Sequence, residues 1–522
     1  MRFLLVVFLI LFFVPAGSLI LQSIGPADDS LSHVMHTVLG RYFVGTITLM
    51  SLVLPGVIIV GAVSAWLVTR CDFKFRPFLN WALLLPFASP PYILAYVYTD
   101  AFQDYIPNIR SMPVAALLFT SVLYPYVYLF ARGAFAEQTQ NTLSAAKLLG
   151  CSPLVAFWRI SLPLARPSIV AGAVLAIMEV ASDFGTVEYF AIDTFSTGIY
   201  RTWFALGSKV GAARLALLLL VFTLSLFSFE KWMSRRARYF GRGGVATEAE
   251  RFKLHGVQAF AAIIFCITPV FIGFLFPILL LLGQVLKGGW RQINISFIEM
   301  ATRSFVLAFV AGLICVIVGL FLAFSARSRK NYYAKFCLNA ASFGYALPGN
   351  VLAVGVLFAL GFGDTWFGRF WKNMTGQELG LLLSGTIAAL LYAYVVRFGA
   401  IPLQGLVAAL DRVTPALESS ARLLGAHPFR ILLHVYLPAM RNSVLAAVIL
   451  VFVDVVKELP ATLLLRPFNF DTLAVHTYHL ASDERLMEAS PAALFIVLVG
   501  IIPVTLLQQV TFKNQSLVND ES

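Results

Sequence analysis

Charged residues are scarce in this chain, and their scarcity excludes most classes of soluble protein. They make up 12% of the sequence, against 59% hydrophobic residues, whereas soluble globular domains carry roughly 25% charged residues. The five cysteines include no C-x-x-C pair, so neither a zinc site nor a disulfide framework is indicated. No phosphate loop of the form G-x-x-x-x-G-K-[ST], no H-E-x-x-H and no G-x-S-x-G occurs. The sequence therefore predicts a membrane protein that is not an enzyme and has no nucleotide-binding motif of its own.

Long apolar runs are abundant instead. About 12 of them approach the roughly 20 residues that cross a bilayer core. They lie at residues 3–24, 45–69, 81–100, 113–131, 168–184, 212–229, 257–286, 303–325, 337–361, 378–396, 441–456 and 489–511. The first run stays apolar as far as Leu21, which is too long for the core of a signal peptide, so we expect it to be retained. The fold class is therefore an all-α integral membrane protein, surrounded by lipid bilayer.

Basic residues indicate the orientation of these spans. If the N-terminus is cytoplasmic, the loops after spans two, four, six, eight and ten should be positive. All five contain Lys or Arg, for example Arg235, Arg236 and Arg238 after span six. We therefore expect both termini to be cytoplasmic. The net charge of +12 is explained by these flanks, and no nucleic-acid partner is indicated.

The chain contains an internal repeat. Gly150 matches Gly425, and the difference between their residue numbers, which we call the repeat offset, also pairs many of their neighbours. Farther upstream a shorter offset pairs Pro90 with Pro348, so the second copy has extra residues, which we place in an outer loop at 362–378. We predict a first repeat at 1–230, a basic cytoplasmic linker at 231–256 and a second repeat at 257–522. Six spans in each repeat make the two repeats parallel.

The best-preserved part of the repeat is SAAKLLGCSPLVAFWRISLP at 144–163 and SSARLLGAHPFRILLHVYLP at 419–438. Each copy predicts a helix, a sharp turn at Gly150 or Gly425, and a second helix that begins at proline. An amphipathic helix on lipid headgroups is the alternative for one copy alone. Two copies in register favour recognition by another protein. We call these segments the first and second elbows.

Both elbows resemble the EAA loop of permease subunits of binding-protein-dependent ABC importers. In that loop a Gly is followed ten positions later by a hydrophobic residue and then by Leu-Pro. Ser144 and Ser419 replace the glutamate of the motif, and Glu418 stands one position before it in the second copy only. The resemblance implies coupling helices that dock a dimer of separate ATPase subunits, which bind the ATP. The implied docking residues are Ser144, Ala145, Ala146, Lys147, Gly150, Leu162, Pro163, Glu418, Ser419, Ala421, Arg422, Gly425, Leu437 and Pro438.

Two acids occur in the fifth span of each repeat. The repeat offset pairs Glu179 with Asp454 and Asp183 with Glu458. Carboxylates facing lipid would oppose insertion by roughly 3 kcal/mol each, so we expect them to face the bundle interior as a candidate translocation route. In the second repeat, structural roles are the alternative: an ion pair of Asp454 with Lys457, and helix capping by Glu458.

The segments after these acids resemble those of fused two-domain iron(III) permeases of bacterial inner membranes, which are fed by a periplasmic binding protein. The resemblance runs through essentially the whole chain and implies iron(III) as cargo, a hard cation that favours oxygen ligands. The alternatives are permeases for thiamine, phosphonate or sulfate, and a proton-coupled secondary carrier. A metal site at Asp471, His476 and His479 is less favoured than solvated loop side chains, and we expect no cofactor or metal resident in this chain.

Overall fold

The computed structural model describes residues 2–25, 37–138, 152–240, 251–327, 332–378, 380–413 and 415–519. These residues are helical nearly throughout, because long apolar segments can satisfy their backbone hydrogen bonds in a bilayer only within helices or closed barrels. The two strands among the described residues, β1 (Cys71–Asp72) and β2 (Phe252–Lys253), form one short parallel pair. The prediction of an all-α membrane fold is confirmed.

The helices of the first repeat include the long spans and several short segments between them. In chain order they are α1 (Arg2–Ser23), α2 (Leu39–Arg70), α3 (Arg76–Ala82), α4 (Pro91–Phe102), α5 (Met112–Glu137), α6 (Pro153–Ala156), α7 (Leu162–Ser182), α8 (Gly185–Tyr189), α9 (Phe195–Phe204) and α10 (Lys209–Phe240). A π turn at Phe157–Ser161 joins α6 to α7, so that Leu154–Ser182 forms one continuous span.

The second repeat follows the same order. Its helices are α11 (Val257–Val270), α12 (Phe276–Lys287), α13 (Ile295–Arg327), α14 (Tyr332–Ala341), α15 (Gly349–Thr375), α16 (Ile387–Phe398), α17 (Ala400–Arg412), α18 (Pro415–Leu423), α19 (Pro428–Ile431), α20 (Leu437–Ala439), α21 (Arg441–Val456), α22 (Pro460–Leu465), α23 (Leu473–Ser482) and α24 (Leu486–Asn519). Short 3₁₀ helices precede α4, α13 and α15, and π turns follow α11 and α19.

Ten of the described helices are long and apolar enough to span a membrane, or up to 12 if each bent helix pair is one span. The bent pairs are Arg76–Ala88 with Pro91–Phe102, at 88°, and Phe429–Ala439 with Arg441–Val456, at 83°. Many apolar side chains on the spans, such as Ile59 and Ile317, are more than half exposed, as lipid-facing residues are. The predicted number of about 12 spans agrees with the upper count.

The third span is interrupted at matching residues of both repeats. Pro90 and Pro348 adopt extended backbone angles and precede the N-termini of α4 and α15. Because proline has no amide hydrogen and restricts the residue before it, it favours a helix start and disfavours helix continuation through it. The repeat detected in the sequence is therefore also a repeat of backbone geometry.

The extra residues of the second repeat are helical, which differs from the predicted outer loop. Helix α15 has 27 residues, whereas its counterpart α4 has 12. The side chain of Asp364, within the extension, accepts hydrogen bonds from the backbone amides of Leu382, Leu383 and Ser384. These bonds hold the returning chain against the extended helix. The sequence suggested a loop because glycines interrupt the apolar pattern of the extension.

The chain packs as two compact units whose boundaries cross those of the sequence repeats. The first-repeat unit consists of Met35–Gly198, Val221–Trp290 and Leu480–Ser522. The second-repeat unit consists of Met1–Val34, Ile199–Leu220 and Arg291–His479. Each unit thus contains the first span of the other repeat. The repeat boundaries at 230 and 257 remain an interpretation of the sequence.

Hydrogen bonds from side-chain hydroxyls to backbone carbonyls connect these exchanged first spans to the other helices of their units. In the second-repeat unit, the hydroxyl of Ser18 in α1 donates to the carbonyl of Gly355 at 2.7 Å and lies 2.8 Å from the carbonyl of Pro15. A Cβ at Gly355 would overlap Pro15, so glycine is required for this approach. In the first-repeat unit, Tyr98 donates to the carbonyl of Ile272 at 2.8 Å, just after α11.

The predicted linker is only partly an irregular segment. Helix α10 continues to Phe240, because residues 231–240 contain neither Gly nor Pro. Residues 241–250 lie outside the described part of the chain. Beyond them, β2 pairs with β1 directly after the second span, and the amide of Leu254 donates to the carbonyl of Asp72 at 3.0 Å. The end of the linker is therefore anchored to the first-repeat unit.

Candidate functional site: the elbows and the acidic fifth spans

The second elbow has the helix–turn–helix structure that the sequence predicts. Helix α18 ends in a Schellman motif, in which Gly425 donates to the carbonyl of Arg422 and Ala426 to that of Ala421, each at 3.0 Å. Gly425 has a φ of 78°, a left-handed conformation that costs a residue with a Cβ about 1 kcal/mol or more. Two short helices therefore meet at a fixed turn, and α19 begins at Pro428.

The tip of the second elbow exposes large apolar side chains. Leu423 and Leu424 are each 88% exposed, and Phe429 is 64% exposed. Ser419 and Arg422 lie on the same segment and are also exposed, while of Glu418 only the backbone is described. Apolar side chains grouped on an exposed turn are typical of a surface that contacts another protein or lipid. Leu437 and Pro438 follow the π turn and lead into the fifth span.

The N-terminal part of the first elbow, residues 144–151, lies outside the described residues. Ser144, Ala145, Ala146, Lys147 and Gly150 all fall there. The described part begins at Ser152, whose hydroxyl accepts a hydrogen bond from the amide of Val155 at 3.4 Å, as expected at a helix start. Leu154 and Trp158 are 71% and 59% exposed. They correspond to Phe429 and Leu433 at the repeat offset, so both elbows present apolar side chains at matching positions.

The two elbows differ in how they enter the fifth span. In the first repeat the helix runs without a break from Leu154 to Ser182, past Leu162 and Pro163. In the second repeat the chain bends by 83° at Met440, between α20 and α21. Proline alone does not explain this bend, because Pro167 lies within the unbroken helix of the first repeat. The same Leu-Pro pair thus leads into a straight helix in one repeat and into a bend in the other.

In the first repeat, both candidate route acids accept hydrogen bonds. The carboxylate of Asp183 accepts hydrogen bonds from the amide of Thr186 at 2.9 Å and from its hydroxyl at 3.1 Å. Asp183 thus caps α8, the short helix after the fifth span. Glu179 is partly buried one helical turn earlier, where Tyr126 donates to it at 3.4 Å.

In the second repeat, both acids form ion pairs. Lys457 contacts Asp454 at 2.6 Å, which is the local pairing that the sequence offered as an alternative to a route role. Arg397 of α16 contacts Glu458 at 2.7 Å, with side chains only 12% and 6% exposed. Glu458 also accepts from the amide of Ala461 at 3.1 Å, the counterpart of the bond from Thr186 to Asp183. Capping of the next helix is therefore common to both repeats, and the arginine is particular to the second.

The buried ion pair shapes its surroundings. A Cβ at Gly349 would overlap both the Arg397 guanidinium and the Glu458 carboxylate, so a side chain there would displace the pair from this geometry. The first repeat has Pro91 at the position that corresponds to Gly349, and Val122 at the position that corresponds to Arg397. Arg397 was not among the residues predicted from the sequence. The signal was present in this lone arginine within an otherwise apolar span.

The histidines after the second fifth span do not form a metal-binding group with Asp471. Arg466 forms an ion pair with Asp471, and its guanidinium also lies 3.5 Å from a ring nitrogen of His479. A cation would have to displace this arginine. Within the described residues, no cluster of three or more His, Cys, Asp or Glu side chains has a geometry suited to a metal ion.

Repeated membrane-spanning helices with an exposed helical turn between two of them are typical of a transport subunit of the all-α class. Residues 57–239 and 315–513 each match the family described as the inner-membrane component of binding-protein-dependent transport systems. The chain belongs to this family of ABC importer permeases and contains its domain twice. It is a multi-pass inner-membrane protein and a transport subunit, not an enzyme.

The relatives fall into two groups: one matches nearly the whole of this chain, and the others match about a third of it or less. The Fe(3+)-transport system permease protein FbpB 2 of Haemophilus influenzae is 25% identical over 90% of this chain and 89% of its own length. The molybdenum transport system permease protein ModB of Escherichia coli is 26% identical over 34% of this chain and 86% of its own length. A probable sulfate transport system permease protein of Chlorokybus atmophyticus is 30% identical over 25% of this chain and 50% of its own length.

Proposed function

We propose that this chain is the permease subunit of an ATP-driven importer that moves iron(III) from a periplasmic binding protein into the cytoplasm. The observation that carries the cargo assignment is the similarity to an iron(III) permease over 90% of the chain. The similarities to molybdate and sulfate permeases cover only about a third of the chain or less. The arrangement of two fused repeats is thus shared with the iron(III) relative along nearly its whole length.

The acids of the first repeat support a cationic cargo. Glu179 and Asp183 lie one turn apart on the same helix face; Glu179 accepts a hydrogen bond from Tyr126, and Asp183 accepts from the hydroxyl of Thr186 and from the amides of Thr186 and Val187. Oxygen ligands suit a hard trivalent cation, whereas an oxyanion such as molybdate or sulfate would be repelled by carboxylates. We infer that these two acids line the translocation route. The acids of the second repeat, Asp454 and Glu458, are neutralised by ion pairs and have structural roles.

The elbows support coupling to separate ATPase subunits. Their matching exposed apolar residues, Leu154 and Phe429, suit a protein groove. ATP would be bound by those partner subunits, one under each elbow, and this chain would hold no cofactor. The elbows and both termini would then lie in the cytoplasm, as the positive loops predict. A proton-coupled carrier remains the second candidate class, but it has no use for paired elbows.

The test is reconstitution of the chain in proteoliposomes with a candidate ATPase subunit and a candidate binding protein from the same organism. We expect accumulation of radioactive iron(III) that requires the binding protein and ATP, and none when the phosphate-loop lysine of the ATPase is replaced by alanine. Accumulation of molybdate or sulfate instead would overturn the cargo assignment. Accumulation driven by a proton gradient without the ATPase would overturn the importer assignment.

A further inference from the structure

The second span of each repeat ends in an arginine that reaches the end of the fourth span, just before the elbow. In the first-repeat unit, Arg70 ends α2 and donates hydrogen bonds to the carbonyls of Phe135 and, at 2.8 Å, Gln138. In the second-repeat unit, Arg327 ends α13 and donates to the carbonyls of Leu410 at 2.5 Å and Val413 at 2.9 Å.

These acceptors occupy equivalent positions. Phe135 corresponds to Leu410, and Gln138 to Val413, at the repeat offset that relates the elbows. Gln138 and Val413 are the C-caps of the fourth-span helices α5 and α17. The last carbonyls of a helix have no partner within it, and they carry the negative end of the helix dipole. A guanidinium with several donors can bridge two of them, so the two arginines form the same contact independently in each unit.

Each arginine is also linked to the far side of its elbow. In the first repeat, the amide of the Gln138 side chain donates to the carbonyl of Ser161 at 2.9 Å. In the second repeat, the Arg327 guanidinium lies over the ring of Tyr436, 5.2 Å from its centre. Tyr436 corresponds to Ser161 at the repeat offset. In both repeats, contacts therefore connect the end of the second span, the end of the fourth span and the start of the fifth. The last connection is a hydrogen bond in the first repeat and a cation–π contact in the second.

The contacts are largely shielded from water. Arg70 is 4% exposed and the Arg327 side chain 18% exposed. Hydrogen bonds from a charged group to carbonyls are stronger than those between neutral groups, and low exposure reduces their screening. The elbow itself has few buried contacts at its tip. Its angle relative to the spans is therefore set at its two ends, where each arginine acts.

We propose that Arg70 and Arg327 are positioning residues that hold each elbow rigidly against the second and fourth spans, so that movement of a docked ATPase subunit is passed to the spans. This inference rests on the proposed function, because it assigns the residues that transmit the ATPase movement. Coupling to the ATPase subunits would then depend on Arg70 and Arg327 in the second spans as well as on the elbows.

The test compares Arg70→Met and Arg327→Met with Lys74→Met and Lys335→Met, which remove exposed charges from neighbouring segments. Hydrogen–deuterium exchange in lipid nanodiscs reports elbow rigidity without any cargo or ATPase. We expect the backbone amides of residues 416–426 to exchange about tenfold faster or more in Arg327→Met. Residues 152–161 should behave likewise in Arg70→Met, with no change in either lysine variant.

Coupling is measured in the same variants as iron(III) transported per ATP hydrolysed in proteoliposomes. We expect this ratio to fall several-fold in the methionine variants, with ATP hydrolysis retained, and to be partly restored by Arg70→Lys and Arg327→Lys. Unchanged exchange at the elbows, or faster exchange with an unchanged ratio, would overturn the proposal. If the wild-type chain transports no iron(III), the proposed function fails, whereas the exchange data still decide whether the arginines fix the elbows.

Milder variants guard against misfolding of Arg70→Met. Gln138→Val introduces the residue of the second repeat and removes only the link to Ser161. Tyr436→Leu removes the ring under Arg327, and Tyr436→Phe retains it. We expect faster elbow exchange in Gln138→Val and Tyr436→Leu, and wild-type exchange in Tyr436→Phe. Equal exchange in all three would overturn the proposal.

Discussion

The two fifth spans both end at an acidic residue, but the two acids differ in whether a positive charge lies beside them. Asp183 and Glu458 both cap the short helix that follows. Glu458 is also neutralised by Arg397, whereas the hydrogen bonds identified for Asp183 come from the amide and hydroxyl of Thr186 and the amide of Val187. The two repeats thus share an acidic helix end, and a single arginine on a neighbouring span distinguishes the neutralised Glu458 from Asp183, which we propose lines the cation route.

The largest effect should come from breaking the pair of the second repeat. Replacing Arg397 with Met leaves Glu458 buried without its counter-charge, which costs about 3 to 5 kcal/mol in comparable buried pairs. We expect a strong loss of folded protein, measured by thermal unfolding in detergent. The double variant Arg397→Met/Glu458→Met should recover most of that loss, because no uncompensated charge remains. Equal instability of single and double variants would contradict a mainly electrostatic role.

The next largest effect, on uptake, should come from replacing the turn glycines, and it shows whether the two elbows are equivalent. Gly425→Val places a β-branched residue at positive φ, at a cost of about 1 to 2 kcal/mol to the turn. We expect uptake to be abolished with the protein still inserted, and Gly425→Asn to retain uptake, since Asn tolerates this conformation. Gly150→Val should have the same effect if the first elbow contains the same turn. Uptake that survives in Gly425→Val would show that the turn is dispensable.

A smaller effect on stability, but a clear one on transport, is expected in the first repeat. Asp183→Asn keeps a capping oxygen and should cost no more than about 1 kcal/mol of stability. Glu179→Gln likewise keeps a hydrogen-bond acceptor for Tyr126. We expect both variants to insert normally and to slow iron(III) uptake, with the double variant slowest. Unaltered uptake in the double variant would remove these acids from the route.

The smallest effect should come from the local pair of the second repeat. Lys457 and Asp454 are each about a third exposed and lie three positions apart, so their ion pair contributes about 0.2 to 1 kcal/mol. Asp454→Asn and Lys457→Met should leave both stability and iron(III) uptake close to wild type. A loss of uptake in Asp454→Asn as large as in Asp183→Asn would show that the two repeats contribute equally to the route.

Local features were predictable from the sequence. The turn at Gly425, the helix start at Pro428 and the pairing of Asp454 with Lys457 all depend on residues within a few positions of one another. The prolines at 90 and 348 mark the same break in both third spans, and the repeat made their correspondence visible. These features follow from backbone sterics and helix periodicity, which act over one or two helical turns.

Long-range features were not predictable. Arg397 and Glu458 are far apart in the chain, so their pairing depends on the packing of α16 against the end of the fifth span. The placement of α1 in the second-repeat unit has the same origin, since an apolar span gives no sign of its neighbours. The helical extension of α15 was hidden by its glycines, and the bonds from the returning chain to Asp364 help to hold it in place.

On the proposed function, the elbows face the cytoplasm and are covered by separate ATPase subunits. The most direct test of this arrangement is labelling of Ser420→Cys with a membrane-impermeant maleimide. Four native cysteines, Cys71, Cys266, Cys315 and Cys337, are buried, so Cys151→Ser provides the background. We predict labelling in inverted vesicles only, and protection there when the ATPase subunit is added. Labelling of Ser420→Cys in intact spheroplasts would place the second elbow outside the cytoplasm and overturn the proposed coupling role.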